Sequence, residues 1–280
     1  MAAIADQTNT VDVKHGANFV SSLAKGLEIL SAFSQGELLG NQQLVARTGF
    51  PKATVSRLTS TLIELGYLRL DEQSRKFSMG TRVLGMGASV QRNIGLQRIA
   101  RPFMEALSEE SNATVGMGTR DRLGIVFLEV IRPSRNRLTV NTDVGSVLPL
   151  ESTAIGLTYL VAALLAERTR LLERLRRRHA DNWEAVRGNI EKAHAEYQRT
   201  GFVSSQKSWD REVNGVGVPL FLNERRGLFV FNCAGPSHQL PLQYLKSVLG
   251  PRLIETVASI RQAMLDNPQV PLNPLKVHTP

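Results

Sequence analysis

Before residue 81, three short stretches of helical period run into a charged hairpin; after it, strand-like runs alternate with longer helices. These observations predict an α+β chain. Its parts are an N-terminal winged helix-turn-helix domain (19–80), a linker helix (81–97) and a C-terminal domain (98–266) whose antiparallel sheet carries flanking helices. A polar, unpatterned stretch (1–18) is expected to be a disordered tail, and a proline-rich one (267–280) a loose tail.

The elements follow in order. A first helix begins at Phe19, with Val20, Leu23, Leu27, Leu30 and Phe33 on one side, and Gly36 ends it. Asn41 suits the cap of a second, shorter helix through Arg47 that turns Leu44 and Val45 inward. Thr48, Gly49 and Phe50 form the turn into a third helix. Pro51 fits its first position, Val55, Leu58, Leu62 and Leu65 its apolar stripe, and Gly66 its stop. The opposite face carries Lys52, Ser56, Arg57 and Ser60, with Ala53 among them. Such short donors and long cations near a helix N-terminus can reach base edges and phosphates in a major groove. Tyr67 to Leu70 and Lys76 to Met79 alternate around a turn, so Arg69, Arg75 and Lys76 sit on a hairpin wing able to touch sugar-phosphate.

A helix over 81–92 and a break at 93–95 link the halves. The second half then reads as a helix (98–111), strands (114–119, 124–131 and 137–142) and a loop (143–150). Helices at 153–165, through the basic run and at 183–199 follow. Strands return at 202–205, 215–222 and 227–233, and a long helix (241–265) closes the domain. Gly116 and Gly118 inside a strand indicate close packing, and His194 on a polar helix is expected to face solvent.

Charge and composition narrow the function. The net charge is +9, but residues 1–85 hold nine Lys/Arg and seven Asp/Glu, so only +2 of it lies there. Much of the remainder is the run from Arg168 to Arg178, read as a solvated helix face, with an accessory phosphate patch as the alternative. The single cysteine, Cys233, excludes an internal disulfide and sits in an apolar run as a buried, inert thiol. No apolar run approaches the roughly 20 residues of a membrane span, so no membrane partner is expected and the cytoplasm is favoured. No nucleophile elbow, zinc-protease motif, phosphate loop or dinucleotide fingerprint is present, so no catalytic residue, metal site or cofactor is assigned.

The residues that match a known family are SLAKGLEILSAF (22–33), LVARTGFPKATVSRLTSTLIELGYL (44–68) and FSMGTRVLGMG (77–87). In the second half GSVLPLESTAIGLTYLVAAL (145–164), GF (201–202), GVGVPLF (215–221) and AGPSHQL (234–240) arrive in the family's order. On these segments the chain resembles the IclR family of bacterial transcriptional regulators along nearly its whole length. The resemblance implies a GAF-like effector-binding domain in the second half. It also implies a homodimer, or a dimer of dimers, on a palindromic double-stranded DNA operator, with dimer contacts through the first and linker helices. By the same resemblance Lys52, Thr54, Ser56 and Arg57 contact DNA, and Ser22 and Arg82 hold phosphates.

For the effector, the resemblance supplies Leu148, Leu150, Thr153, Ala154 and Gly156 from the loop and first turn after it, where apolar walls and backbone N–H groups suit a carboxylate. The chain departs from the family's pattern at Ser205, where relatives carry an acidic pair, and at Gly215, where many carry cysteine. Asn232 and Ala234 stand where many have serines. With Asn214 and Trp209 nearby, these residues imply a small carboxylated organic effector larger than pyruvate, aromatic acids included. Trp209 as a plain loop residue is the alternative.

Overall fold

Short local pairings build the first unit. The computed structural model describes residues 18–33, 36–92, 95–134, 142–206, 212–223 and 227–267, the backbone alone at 88–92 and 223. The chain divides into two units, Met1–Gln91 and Arg92–Pro280. In the first, α1 (Ser21–Ser31), α2 (Asn41–Thr48) and α3 (Lys52–Glu64) precede strands β1 (Leu68–Leu70) and β2 (Phe77–Met79), and α4 (Arg82–Arg92) follows. Gly49, at φ 70°, turns α2 into α3, and Gly66, at φ 76°, ends α3. β1 and β2 pair antiparallel, and Leu39 bridges to Phe77, so the hairpin is stitched to the loop before α2. Ile29, Leu39, Leu44, Phe50, Val55, Leu62, Leu68 and Phe77 form the core. Arg47 ties the α1–α2 connection together through both oxygens of Glu37 (2.6 and 2.5 Å) and the carbonyl of Ala32.

Two expectations for these helices are corrected. The side of α1 expected to carry Val20, Leu23, Leu27, Leu30 and Phe33 is split: Val20 is 58%, Leu23 62% and Leu27 51% exposed, Leu30 and Phe33 are half-buried against the core, and Ile29 is the residue that is buried. α1 carries two apolar stripes of helical period, and periodicity alone does not say which one the core takes. In α3 the buried set is Val55, Thr59 and Leu62, while Leu65 is 46% exposed. Thr59 can be buried because its hydroxyl donates to the carbonyls of Val55 (2.9 Å) and Ser56 (3.1 Å). Pro51 stands one position earlier than expected, at the N-cap.

The second unit opens with α5 (Gly95–Ser111) and hairpin β3 (Thr114–Asp121) and β4 (Gly124–Ile131), then β5 (Val147–Pro149). Helices α6 (Ala154–Ala162), α7 (Leu165–Arg178) and α8 (Trp183–Thr200) follow, then β6 (Val203–Gln206), β7 (Val213–Asn223) and β8 (Gly227–Pro236). α9 (Leu242–Tyr244) passes through a π-helical stretch, Leu245–Leu249, into α10 (Gly250–Leu265), so the single closing helix expected from the sequence is segmented. β5 lies in the stretch expected to be loop, and β3 continues through Arg120 and Asp121, beyond its expected end at 119. The strands form one antiparallel sheet in the order β5-β4-β3-β8-β7-β6.

Alternation of side chains gives the sheet two buried faces. Val115, Met117, Val216, Val218, Phe229, Phe231 and Cys233 pack in one cluster with α5 and α10. Ile125, Phe127, Leu148, Leu228 and Val230 pack in another with α6, α7 and α8. The expected loose ends, the break at 93–94, nearly all of the expected strand at 137–142, and Trp209 lie outside the described residues.

Candidate DNA-contact surface and effector pocket

The face of α3 opposite its buried stripe presents Lys52, Ala53, Ser56, Arg57 and Ser60 to solvent, with Thr54 half-buried at its margin. Nothing described in the chain neutralises Lys52 or Arg57. Phe50, buried beneath the start of α3, holds the helix in place, and its N–H donates to Thr48 Oγ1, which in turn donates to the Leu44 carbonyl. On the wing, Arg69 and Arg75 are exposed and Lys76 is half-buried. The turn between them is fixed by Asp71, whose Oδ1 accepts from the Ser74 N–H and hydroxyl, both at 2.7 Å. These two bonds hold the Asp71 carboxyl below its ordinary range. Arg82 donates to the Leu65 carbonyl at 2.9 Å and lies over the Tyr67 ring, so part of its fork caps the C-terminal end of α3. Ser22 is exposed in the first turn of α1.

In the second unit a cleft opens between the sheet and the first turn of α6. It is lined by Thr114, Gly116, Phe127, Thr142, Leu148, Thr153, Ala154, Ile155, Ser205, Val213, Gly215, Asn232 and Ala234. Seven expected residues therefore converge there: Leu148, Thr153, Ala154, Ser205, Gly215, Asn232 and Ala234. Thr153 caps α6, accepting from the Gly156 N–H at 3.0 Å and donating to the Pro149 carbonyl at 2.7 Å. The remaining first-turn N–H groups of a helix have no intrahelical partner and favour negative charge. Asn232 is 6% exposed, and its Oδ1 is buried without a hydrogen-bond partner among the described residues. A buried amide oxygen left unpaired costs about 1–3 kcal/mol, which a donor on a ligand would recover.

Glycines make the cleft. A Cβ on Gly116 would stand 2.3 Å from Phe127 Cε1 and 2.5 Å from Asn232 Oδ1, and one on Gly217 would stand 2.4 Å from Thr158 Oγ1. α6 thus rests almost directly on β7.

Three expected residues are not brought to the cleft. Leu150 is wholly buried in the core. At Gly156 a Cβ would meet the Pro149 carbonyl oxygen at 2.3 Å, so this glycine seats α6 against the preceding loop. Asn214 neighbours Gly215 on one strand and so points to the other face, where it donates to the Leu240 carbonyl at 2.9 Å. Thr114, Gly116, Phe127, Thr142, Ile155 and Val213 were not assigned from sequence, although Thr114 and Gly116 share the β3 face on which the cleft lies. His194 is half-buried rather than solvent-facing, and its Nδ1 has no hydrogen-bond partner among the described residues. Cys233 is fully buried, and burial pushes its thiol far up from the ordinary range.

At the far end of α6, Tyr159 donates to Glu167 Oε1 (2.9 Å), which also receives Arg120 Nε at 2.7 Å. Burial first, then the Glu167 charge, raise the Tyr159 hydroxyl well above its usual range. Among the described residues no cluster of His, Cys, Asp or Glu could hold a metal ion, and no helix is long and apolar enough to cross a membrane.

A winged helix with an open cationic face, followed in the chain by a sheet-and-helix domain that holds an apolar cleft, marks the class of DNA-binding regulators. A family model of the IclR helix-turn-helix domain matches residues 22–72, and one of the bacterial transcriptional regulator IclR C-terminal domain matches 88–261. The chain belongs to the IclR family of transcriptional regulators.

It is 55% identical to the HTH-type transcriptional regulator TsaQ1/TsaQ2 of Comamonas testosteroni, over 89% of this chain and 90% of that one. An IclR family transcriptional regulator from Brucella abortus superposes with a TM-score of 0.75 at 41% identity, covering 88% of this chain and 93% of its own. An IclR homolog from Microbacterium hydrocarbonoxydans, complexed with 4-hydroxybenzoate, shares the fold with a TM-score of 0.64 at 19% identity, over 88% and 99% of the two chains.

Proposed function

We propose that this regulator is a repressor that binds a palindromic operator as a homodimer or dimer of dimers and is controlled by a small carboxylated organic effector. The observation that carries the reading is the exposed face of α3, where Lys52 and Arg57 stand without an acidic partner among the described residues, beside Ser56, Ser60 and the small Ala53. Arg69, Arg75 and Lys76 on the wing, with Ser22 and the free donors of Arg82, would meet the backbone. The symmetry rests on the outward stripe of α1 (Val20, Leu23 and Leu27) and on Leu84 and Met86 of α4, which are 73% and 54% exposed. Apolar side chains left open on two helices of a small domain suit a second copy of the same surface, and a two-fold dimer reads a palindrome.

The effector would place its carboxylate at the α6 N-terminus and a hydrogen-bond donor against Asn232, with Leu148, Phe127 and Ile155 as walls. No charged side chain lines the described part of the cleft, which favours an acid with an apolar body over a compact oxoacid. The fold admits an aromatic acid, as the 4-hydroxybenzoate complex of the Microbacterium homolog illustrates. Ligand binding would shift the equilibrium between two arrangements of the dimer, by no more than its preference between them. The protein would act in the cytoplasm, and no catalytic step is assigned to it.

Selection of duplexes from a random pool, repeated with a panel of organic acids, tests this. Enrichment of a palindrome whose occupancy changes with one acid is the expected result. No enrichment at low salt would overturn it.

A further inference from the structure

The arginine run on α7 is not absorbed by either site. α7 holds six arginines against Glu167 and Glu173, and only Leu171 and Leu175 of it are buried. Several exposed arginines elsewhere in this unit are held by carboxylates. Arg101 pairs with Glu105 and Glu129, Arg132 with Asp143, Arg187 with Glu184 and Glu191, and Arg252 with Glu110 and Glu255. Arg168, Arg170, Arg174, Arg176 and Arg177 of α7, and Arg122 in the β3–β4 turn, have no such partner among the described residues. Arg98, Arg199 and Arg261 also have none among the described residues but are scattered singly along the chain.

Cations from the β3–β4 hairpin also crowd Arg174 of α7. Arg120 is buried and spends its Nε on Glu167 and its Nη1 on the Arg122 carbonyl, which draws the hairpin turn towards the helix. After burial, the charges of Arg120 and Arg122 are what hold the Arg174 guanidinium below its ordinary range. Such crowding disfavours the folded chain unless an anion relieves it. Arg170, Arg174 and Arg177 fall at i, i+4 and i+7, one stripe about 10 Å long. That length is about three axial rises of a duplex, at roughly 3.4 Å each, so the three guanidinium groups can meet successive phosphates of one strand.

We propose that the exposed arginine stripe of α7, with Arg122 beside it, is a second DNA-contact surface that takes duplex phosphates outside the sequence read by α3. It rests on the DNA-binding reading of the first unit and adds affinity without adding sequence preference, because phosphate contacts carry no base information.

The test uses the full chain on a selected operator, as a short duplex covering the operator alone and as one extended by about two helical turns on each side. The R170Q/R174Q/R177Q variant should match the native chain on the short duplex. On the long one, its slope of log affinity against log salt should be shallower by about 2.7, at about 0.9 per phosphate contact. The R170K/R174K/R177K variant, which keeps the charge, should retain the native slope. Identical slopes for the glutamine variant and the native chain on the long duplex would overturn the proposal and leave a solvated face. So would equal weakening on both duplexes, which marks a folding defect. Stabilisation by inorganic pyrophosphate that the glutamine variant loses, without any change of slope on DNA, would reassign the stripe to a free oligophosphate. Failure of the native chain on the short duplex would sink the underlying DNA reading instead.

Discussion

The Asn232 side-chain oxygen lies against the bare Cα of Gly116, so closely that a methyl group there would stand 2.5 Å from it. The same methyl would stand 2.3 Å from the Phe127 ring. Gly116→Ala is therefore expected to close the cleft at its floor, destabilise the second unit by about 1–3 kcal/mol, and abolish effector binding. Thermal unfolding with and without effector checks it, and a variant that still binds effector would contradict the assignment of the cleft.

Asn232→Leu separates folding from recognition. Replacing a buried amide whose oxygen is unpaired by an apolar side chain of similar size should leave the ligand-free protein as stable or raise its stability by about 1 kcal/mol. Effector affinity should fall by about tenfold or more. Loss of stability with unchanged affinity would mean that Asn232 is a packing residue.

Arg57→Ala should weaken operator binding by about 1–3 kcal/mol and leave the effector-induced thermal shift intact. If Arg57 contacts a phosphate, the salt slope also falls by about one unit; if it reads a base, discrimination at one operator position relaxes instead. Fluorescence anisotropy on operator variants distinguishes the two.

The double variant L23D/L27D tests the outward stripe of α1. Each leucine covered by a partner contributes about 1.5–3 kcal/mol to association. Because both side chains are exposed in the single chain, the variant should fold but sediment as a smaller species and lose its palindrome preference. An unchanged sedimentation coefficient would refute dimerisation through α1.

Cys233 should resist thiol reagents in the native protein, since burial both blocks access and disfavours the thiolate. Labelling should appear only as the second unit unfolds, which makes the rate of labelling a direct report on its opening.

The local elements were legible because their signals are local. The turn at Gly49, the stop at Gly66 and the alternation of the wing each lie within a few residues of what they determine. The side of α1 was not, since two apolar stripes compete and only the positions of α3 and the hairpin decide between them. Asn214 shows a different limit. Strand parity sets Asn214 and Gly215 on opposite faces, so the two residues could not line one cleft, yet parity is usable only once the strand's start is known to lie at Val213 rather than Gly215. Thr142 and Val213 reach the cleft from distant parts of the chain through sheet order, which no spacing in the sequence encodes.

The central place of β3 beside β8 has a kinetic consequence. Thr119 donates to the Leu228 carbonyl across 109 positions of chain, and β3 is paired with β8 all along Thr114 to Gly118. The sheet of the second unit therefore cannot close until synthesis has passed Pro236, whereas the first unit is held by contacts within its own first 80 or so residues. Contacts so distant in sequence form slowly, and nearby ones early. On the ribosome, the DNA-binding half is finished long before the half that holds the cleft.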